Sequence, residues 1–332
     1  MKKHVVIGAS SFSGRAYVRS LLGTKTGQNQ VLGISRTSLK GTPFDAYPER
    51  DHLFQNLIFN LDLNMKETLG VIKDFSPDYI VNFAAMSMVA ESWQKPFAWY
   101  NTNLLSLSNL IDGLMQIDGI KKFIQFTTPE VYGSTKGLLK ENWEFSPSTP
   151  YAISRAASDW HLKAFFEAHG FPVIFTRAAN VYGEYQRLYR IIPKTIFSII
   201  TGRKLPLHGG GSSQRSFIHI DDVSDALFKI IESGRIGECY HISTNNFFQI
   251  SEVIQEICKL LNADFSKVVE ITSDRLGKDH AYKLDSSKLR TELNWQDKIT
   301  FSDGVMKTFN WINENQRYFK ISDLSYQIGG QS

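Results

Sequence analysis

Apolar residues along this chain come in short blocks, separated by polar turns and by longer stretches with helical spacing. His4–Ala9, Gln30–Ser35, Leu57–Leu61, Asp78–Ala84 and Lys122–Thr127 are predicted strands, and Phe171–Arg177 a sixth. Continuous apolar blocks suit strands buried on both faces, where a half-solvated sheet would alternate polar and apolar positions. Between them, Gly14–Leu22, Trp93–Met115 and Tyr151–His169 are predicted helices. Strands alternating with helices imply βαβ units and a parallel sheet covered on both sides. Beyond about Asn180 the alternation loosens. Gly209–Ser213 is predicted as a loop. Asp221–Ser233 is a helix opened by an acidic cap, and Ser251–Leu261 another, with Ser251 as its N-cap.

The pattern predicts an α/β chain. Residues 1–180 should form a Rossmann-type doubly wound parallel sheet. Residues 181–332 should form mainly a smaller C-terminal substrate-binding lobe, with some segments returning to the first domain. Composition adds little to this. The 332 residues are 42% hydrophobic and 21% charged, as in soluble globular proteins, and a net charge of +4 is too mild to argue for nucleic acid. The two cysteines, Cys239 and Cys258, lack metal-ligand spacing, so buried reduced thiols are expected and no metal site. No apolar run is long enough to span a bilayer. The opening Met1-Lys2-Lys3 and the run that stops at Gly8 form a first strand rather than a leader, so a cytoplasmic location is expected.

The first strand runs into Gly8-Ala9-Ser10-Ser11-Phe12-Ser13-Gly14 and then a helix. Small residues at such a turn let the backbone approach a pyrophosphate, which the helix N-terminus attracts; Ser11 stands at the middle glycine of a Gly-x-x-Gly-x-x-Gly spacing. Ser35-Arg36 follows the second strand. An acidic residue there would favour NAD, whereas Arg36 offers a fork for a 2′-phosphate, so NADP is favoured with NAD as the alternative. Asp62 and Leu63 could lie near the adenine. Ala84, Ala85 and Ser87 close the fourth strand with small side chains for a cofactor to lie against.

Ligands of open α/β sheets sit at the carboxyl ends of strands, which places Thr128 and Glu130 for chemistry. Tyr151 and Arg155 lie four apart on a predicted helix and so share a face, where the cation should lower the phenol pKa. A phenol poised this way can take a proton from a sugar hydroxyl as hydride leaves its carbon. Arg215, between a Gly/Ser loop and a strand, is a candidate for an anionic diphosphate. Arg187, Arg190 and Lys194 are as readily a solvated basic face, and His219 with Asp221 and Asp222 reads as a strand end and helix cap.

Several segments carry a family resemblance: Val81-Asn82-Phe83-Ala84-Ala85, Glu91-Ser92-Trp93, Thr128-Pro129-Glu130-Val131-Tyr132-Gly133 and Tyr151-Ala152-Ile153-Ser154-Arg155. Thr176-Arg177-Ala178-Ala179-Asn180-Val181-Tyr182-Gly183, Arg215-Ser216-Phe217-Ile218-His219-Ile220-Asp221-Asp222 and Asp274-Arg275-Leu276-Gly277-Lys278-Asp279 continue it. The chain resembles the extended short-chain dehydrogenase/reductases that act on nucleotide sugars, most of all the dTDP-glucose and GDP-mannose 4,6-dehydratases.

The resemblance implies a tightly bound, regenerated cofactor and an NDP-hexose converted to its 4-keto-6-deoxy form. By that likeness Thr128 would bind O4, Tyr151 would deprotonate it, Arg155 would contact the nicotinamide ribose and tune Tyr151, and Glu130 would remove the C5 proton. Ser87, Asn180, Arg190, Arg215 and Arg275 would hold the substrate. A homodimer or homotetramer through the two long helices is implied as well. The chain departs from the family at Arg155, where lysine is usual, and at Pro129, where the dTDP-glucose type has an aspartate that helps protonate the leaving C6 hydroxyl. A 4-epimerase would share Thr128 and Tyr151 but need no base at C5; a 5,6-dehydratase is a related alternative. A non-catalytic cofactor-binding module is suggested by Ser11, Pro129 and Arg155 and opposed by the retained Thr128, Glu130 and Tyr151.

Overall fold

The structure is a computed structural model that describes residues 2–23, 29–45, 54–59, 64–135, 137–273 and 281–326. Strands β1 (Lys2–Ile7), β2 (Asn29–Ser35), β3 (Phe54–Ile58), β4 (Tyr79–Asn82), β5 (Lys122–Thr127), β6 (Val173–Ala178) and β7 (Cys239–Ile242) form one parallel sheet in the order β7-β6-β5-β4-β1-β2-β3. The order reverses between β1 and β4, which pair from His4↔Tyr79 to Ile7↔Asn82. Connections leave these two strands toward opposite faces, so a crevice opens at their carboxyl ends.

Alternation along the strands divides the core between two layers. Val5 and Ile7 of β1 pack on one face with Ile72, Leu110, Ile111, Leu114 and Leu162. Val6 packs on the other with Val18, Leu21, Leu227 and Ile230. The first face is covered by helices α2 (Met65–Phe75), α4 (Ser106–Leu114) and α5 (Pro150–His169), the second by α1 (Phe12–Gly23) and α7 (Ile220–Ser233). Each of these fully buried aliphatic side chains contributes about 1.5–3 kcal/mol of transfer free energy. A separate cluster joins Tyr182, Leu188, Ile192, Ile196, Phe217, Val253, Ile257, Trp311 and Ile312, and holds α6 (Ile191–Thr201), α8 (Ile250–Leu260) and the helix Phe301–Asn315 together.

Some expected elements shift. The third strand starts three residues early, because β3 pairs with β2 from Val31↔Phe54 to Ser35↔Ile58; residues 60–61 of the expected range lie outside the described residues. The predicted helix Trp93–Met115 is broken. Lys95 leaves the helical region (φ −141°, ψ 64°) ahead of Pro96, since proline disfavours the α conformation in the residue before it, and helix α3 (Pro96–Tyr100) then passes through a π-helical turn, Asn101–Leu105, into α4. Helix α7 is capped by His219, whose Nδ1 accepts the Asp221 N–H at 3.2 Å, while Asp221 instead pairs with Arg19 and Lys307. Helix α8 begins at Ile250, with the Gln249 N–H donating to Glu252 at 2.6 Å in place of a Ser251 cap. Both cysteines are buried and free. Among the described residues, no helix is long and apolar enough to cross a membrane.

Candidate active site

The crevice holds a cavity of about 680 Å³ that runs from the β1–α1 turn, past the ends of β4 and β5, to α6 and the strand pair around Arg215. Its first wall is the glycine turn. Gly8 sits at φ +78°, and a Cβ there would lie 2.7 Å from the Ala84 nitrogen, so the turn and the end of β4 touch backbone to backbone. Ser11 closes the turn by accepting the Gly14 N–H at 3.1 Å, the job a middle glycine leaves to water or ligand.

Gly8, Ser10, Ser11, Phe12 and Ser13 line the cavity, with Arg36, Ala84, Ala85 and Ser87. The first amides of a helix have no intrahelical acceptor, so the α1 N-terminus is a cradle of the kind a pyrophosphate needs. These residues therefore fit a dinucleotide. Two expected contacts are corrected. Ser35 is buried away from the cavity, its hydroxyl accepting the Ser10 N–H at 2.9 Å. Gly14 does not line the cavity; a Cβ there would lie 2.3 Å from the Gly8 carbonyl, so it lets α1 close on the turn. Asp62, Leu63 and Arg275 lie outside the described residues.

The second wall carries the reactive groups. Thr128, at the end of β5, accepts the Glu130 N–H at 3.3 Å and so caps a short 3₁₀ turn, Pro129–Tyr132, that brings Glu130 to the cavity. Pro129 at the first position of that turn costs no hydrogen bond. Tyr151 and Arg155 lie one turn apart on α5 and both line the cavity. The Arg155 guanidinium is buried and donates to the Phe126 carbonyl at 2.5 Å, while its Nε has no hydrogen-bond partner among the described residues.

Burial dominates the Tyr151 phenol and raises its pKa above the ordinary value; Glu130 adds to the rise, and Arg155, a hydrogen bond from Thr128 and Arg190 partly offset it. The expected lowering by Arg155 is therefore present but outweighed, because removing a phenolate from water costs more than one neighbouring cation returns.

Behind Arg155, Asp159 is fully buried. It accepts from Thr127 at 3.2 Å and from Arg177 at 3.0 Å, and burial raises its pKa against the pull of Arg177 and Arg155. Arg177 in turn lies 5.0, 5.4 and 4.9 Å from the rings of Tyr132, Trp143 and Phe145.

The third wall is cationic. Asn180, Arg187, Arg190, Lys194 and Arg215 all line the cavity. Arg187, Arg190 and Lys194, expected as readily on a solvated face, thus stand on the cavity wall. Arg187 stacks 4.0 Å from the Phe44 ring, and Arg190, at the N-terminus of α6, donates to Ser87 at 2.8 Å, joining α6 to the residues after β4.

Sequence reasoning missed two residues. Tyr282, buried, donates to Asn180 at 2.9 Å under the Arg215 guanidinium, and is close enough to Glu130 and Tyr151 for their charges to act on it. Asn103 occupies the π-helical turn and ties Met86 at both backbone groups (2.8 and 3.1 Å) to Ser154 of α5 (2.9 Å). Such π turns often mark functional sites; the sequence hint was an asparagine on the apolar side of a helical pattern.

A family model described as GDP-mannose 4,6 dehydratase matches residues 5–308. The dTDP-glucose 4,6-dehydratase of Xanthomonas campestris pv. campestris is 32% identical over 78% of this chain and 79% of its own. The Escherichia coli dTDP-glucose 4,6-dehydratase is 27% identical over 98% and 97%. Among solved structures, dTDP-glucose 4,6-dehydratase DesIV of Streptomyces venezuelae, with NAD and TYD bound, superposes with a TM-score of 0.89 at 29% identity, over 96% of this chain and 99% of that one. A UDP-glucuronic acid 4-epimerase of Bacillus cereus shares the fold, with a TM-score of 0.86 at 23% identity over 94% and 99%. With most of its length matched, this chain belongs to the GDP-mannose 4,6-dehydratase family, nucleotide-sugar 4,6-dehydratases within the extended short-chain dehydrogenase/reductases.

Proposed function

We propose that this chain converts a nucleoside-diphosphate hexose to its 4-keto-6-deoxy derivative. One arrangement carries the reading: Glu130 faces Tyr151 across the same cavity, held there by the Thr128 cap. An epimerase needs the phenol but no such carboxylate. When bound, a nicotinamide would supply reversible two-electron chemistry to the sugar. Tyr151 takes the O4 proton, with Thr128 orienting that oxygen and Arg155 favouring phenolate. Glu130 removes the C5 proton, made acidic by the neighbouring ketone, and passes it to the departing C6 hydroxyl, since Pro129 has no proton to give; the proton that Tyr151 took from O4 returns to C5 as C6 is reduced, so one water leaves and no proton is left over. Arg190, Arg215 and Asn180 hold the diphosphate. The test is mass spectrometry after incubation with dTDP-glucose, GDP-mannose, UDP-glucose and UDP-N-acetylglucosamine. A product lighter by one water is expected from one of them; an isomer of unchanged mass would mean epimerisation.

The cofactor reading is NADP, carried by Arg36 at the cavity beside the end of β2. NAD is the rival, since DesIV was solved with it. NADP should bind at least tenfold tighter than NAD, and Arg36→Asp should invert that order; a tenfold ratio is about 1.4 kcal/mol. A homodimer or homotetramer is supported by Trp93, Phe97, Leu105, Ile153 and Trp160, large apolar side chains exposed on the 3₁₀ turn before α3, on α3, on the π turn and on α5; sedimentation of Phe97→Asp should report a smaller assembly than the parent. A cytoplasmic location is supported by the charge of a sugar nucleotide, which does not cross bilayers unaided.

A further inference from the structure

The end of the described chain crosses the mouth of the crevice. After the helix Phe301–Asn315, 3₁₀ turns at Gln316–Tyr318 and Ile321–Leu324 lead to Tyr326. The path is anchored in the second lobe. The Phe319 ring lies 5.4 Å from Trp311, 6.1 Å from Phe197 and 5.9 Å from Phe44, and Leu324 packs on the same cluster. The Lys320 N–H donates to Asp323 at 2.7 Å and fixes the second turn.

From that anchor Tyr326 reaches the other side. It packs with Met88 and Val89, beyond β4, against the cluster that contains Met86, Trp99 and Tyr151. Its ring meets Tyr189 edge-on at 5.3 Å, and it lines the cavity. The charges of Arg36, Glu91 and Arg190 all act on its hydroxyl, and burial raises its pKa. Tyr326 therefore joins Tyr189, which precedes the arginine that bonds Ser87, to the residues that follow β4. One residue thus touches elements on two sides of the crevice and lines the cavity between them.

We propose that residues 319–326 form a strap over the crevice and that Tyr326 is a retention residue, which slows escape of the bound dinucleotide. The inference rests on the dinucleotide reading of the crevice. Its chemical sense is that a dinucleotide regenerated in every turnover is reduced midway. Escape at that point would strand an oxidised sugar, and a residue that touches two sides of the crevice raises the cost of leaving. An aromatic ring suits the task, being large and rigid with few torsions to freeze. Affinity differences of this kind appear mainly in the dissociation rate.

The test is stopped-flow displacement of NADPH, followed by its fluorescence, from the full chain and from Tyr326→Ala and Tyr326→Phe. Tyr326→Ala should release it at least about tenfold faster, with little change in the association rate. Tyr326→Phe, which keeps the ring, should stay within about threefold of the parent. A second readout is the medium during turnover. Tyr326→Ala should leak reduced dinucleotide and a keto sugar that retains its C6 hydroxyl, and the parent should leak neither. Dissociation unchanged in Tyr326→Ala, with the parent binding NADPH, would overturn the strap alone. A parent chain that bound neither NADPH nor NADH would overturn the dinucleotide reading beneath it.

Discussion

Replacing Asp159 by Asn should destabilise the protein out of proportion to its size as a change. Asp159 and Arg177 pair at 3.0 Å with neither side chain exposed. The substitution keeps the volume and one acceptor but leaves the guanidinium buried without its counter-charge. Breaking a buried pair from one side costs about 3–5 kcal/mol. The rings of Tyr132, Trp143 and Phe145 around Arg177 are already present in the parent, so they offset none of the loss. Unfolding entropy of about 2.1 cal/mol/K per residue over 332 residues makes each kcal/mol worth about 1.4 °C of Tm. The variant should therefore melt about 4–7 °C lower by calorimetry. The double variant Asp159→Leu with Arg177→Met removes both charges and should recover most of that loss, since apolar replacements of buried pairs are often neutral or stabilising. A Tm within about 1 °C of the parent for Asp159→Asn, or a double variant as unstable as the single one, would refute the reasoning.

Two further outcomes follow from the site. Burial holds the Tyr151 pKa above the ordinary phenol value and Arg155 pulls against it; the base form is the phenolate, so kcat/KM should climb with pH along a limb set by this group. Arg155→Met removes the pull and should move that limb upward by about one to three pH units, with activity at neutral pH falling about tenfold per unit, while Arg155→Lys should leave the limb near the parent's. Gly8→Ala places a methyl 2.7 Å from the Ala84 nitrogen on a backbone at φ +78°; strain of about 1–2 kcal/mol plus the clash should abolish dinucleotide binding in a calorimetric titration before it unfolds the chain.

The parts of this molecule written in local pattern were legible in the sequence. Lys122–Thr127 is a strand of those bounds because Phe123, Ile124 and Phe126 form a short apolar, β-favouring block that ends at the site. Tyr151, Arg155, Thr128 and Glu130 reach one cavity because helix period and strand ends are local geometry. What depended on distant partners was not legible. Ser35 turns inward because Ser10, 25 residues away, needs an acceptor. Arg187 is drawn onto Phe44 by tertiary packing that no spacing announces. Tyr282 and Tyr326 come from segments with no motif of their own, and only the folded chain sets them beside Tyr151 and Tyr189. The net rise of the Tyr151 pKa was not legible for the same reason: a neighbouring cation can be read from spacing, and the depth of burial cannot.

The internal route of hydrogen is the central claim, and a labelled substrate tests it most directly. A nucleoside-diphosphate hexose carrying deuterium at C4 should yield a 4-keto product with that deuterium in the new C6 methyl group, located by NMR. Deuterium found back at C4 of an isomer, or lost to the solvent, would contradict the account.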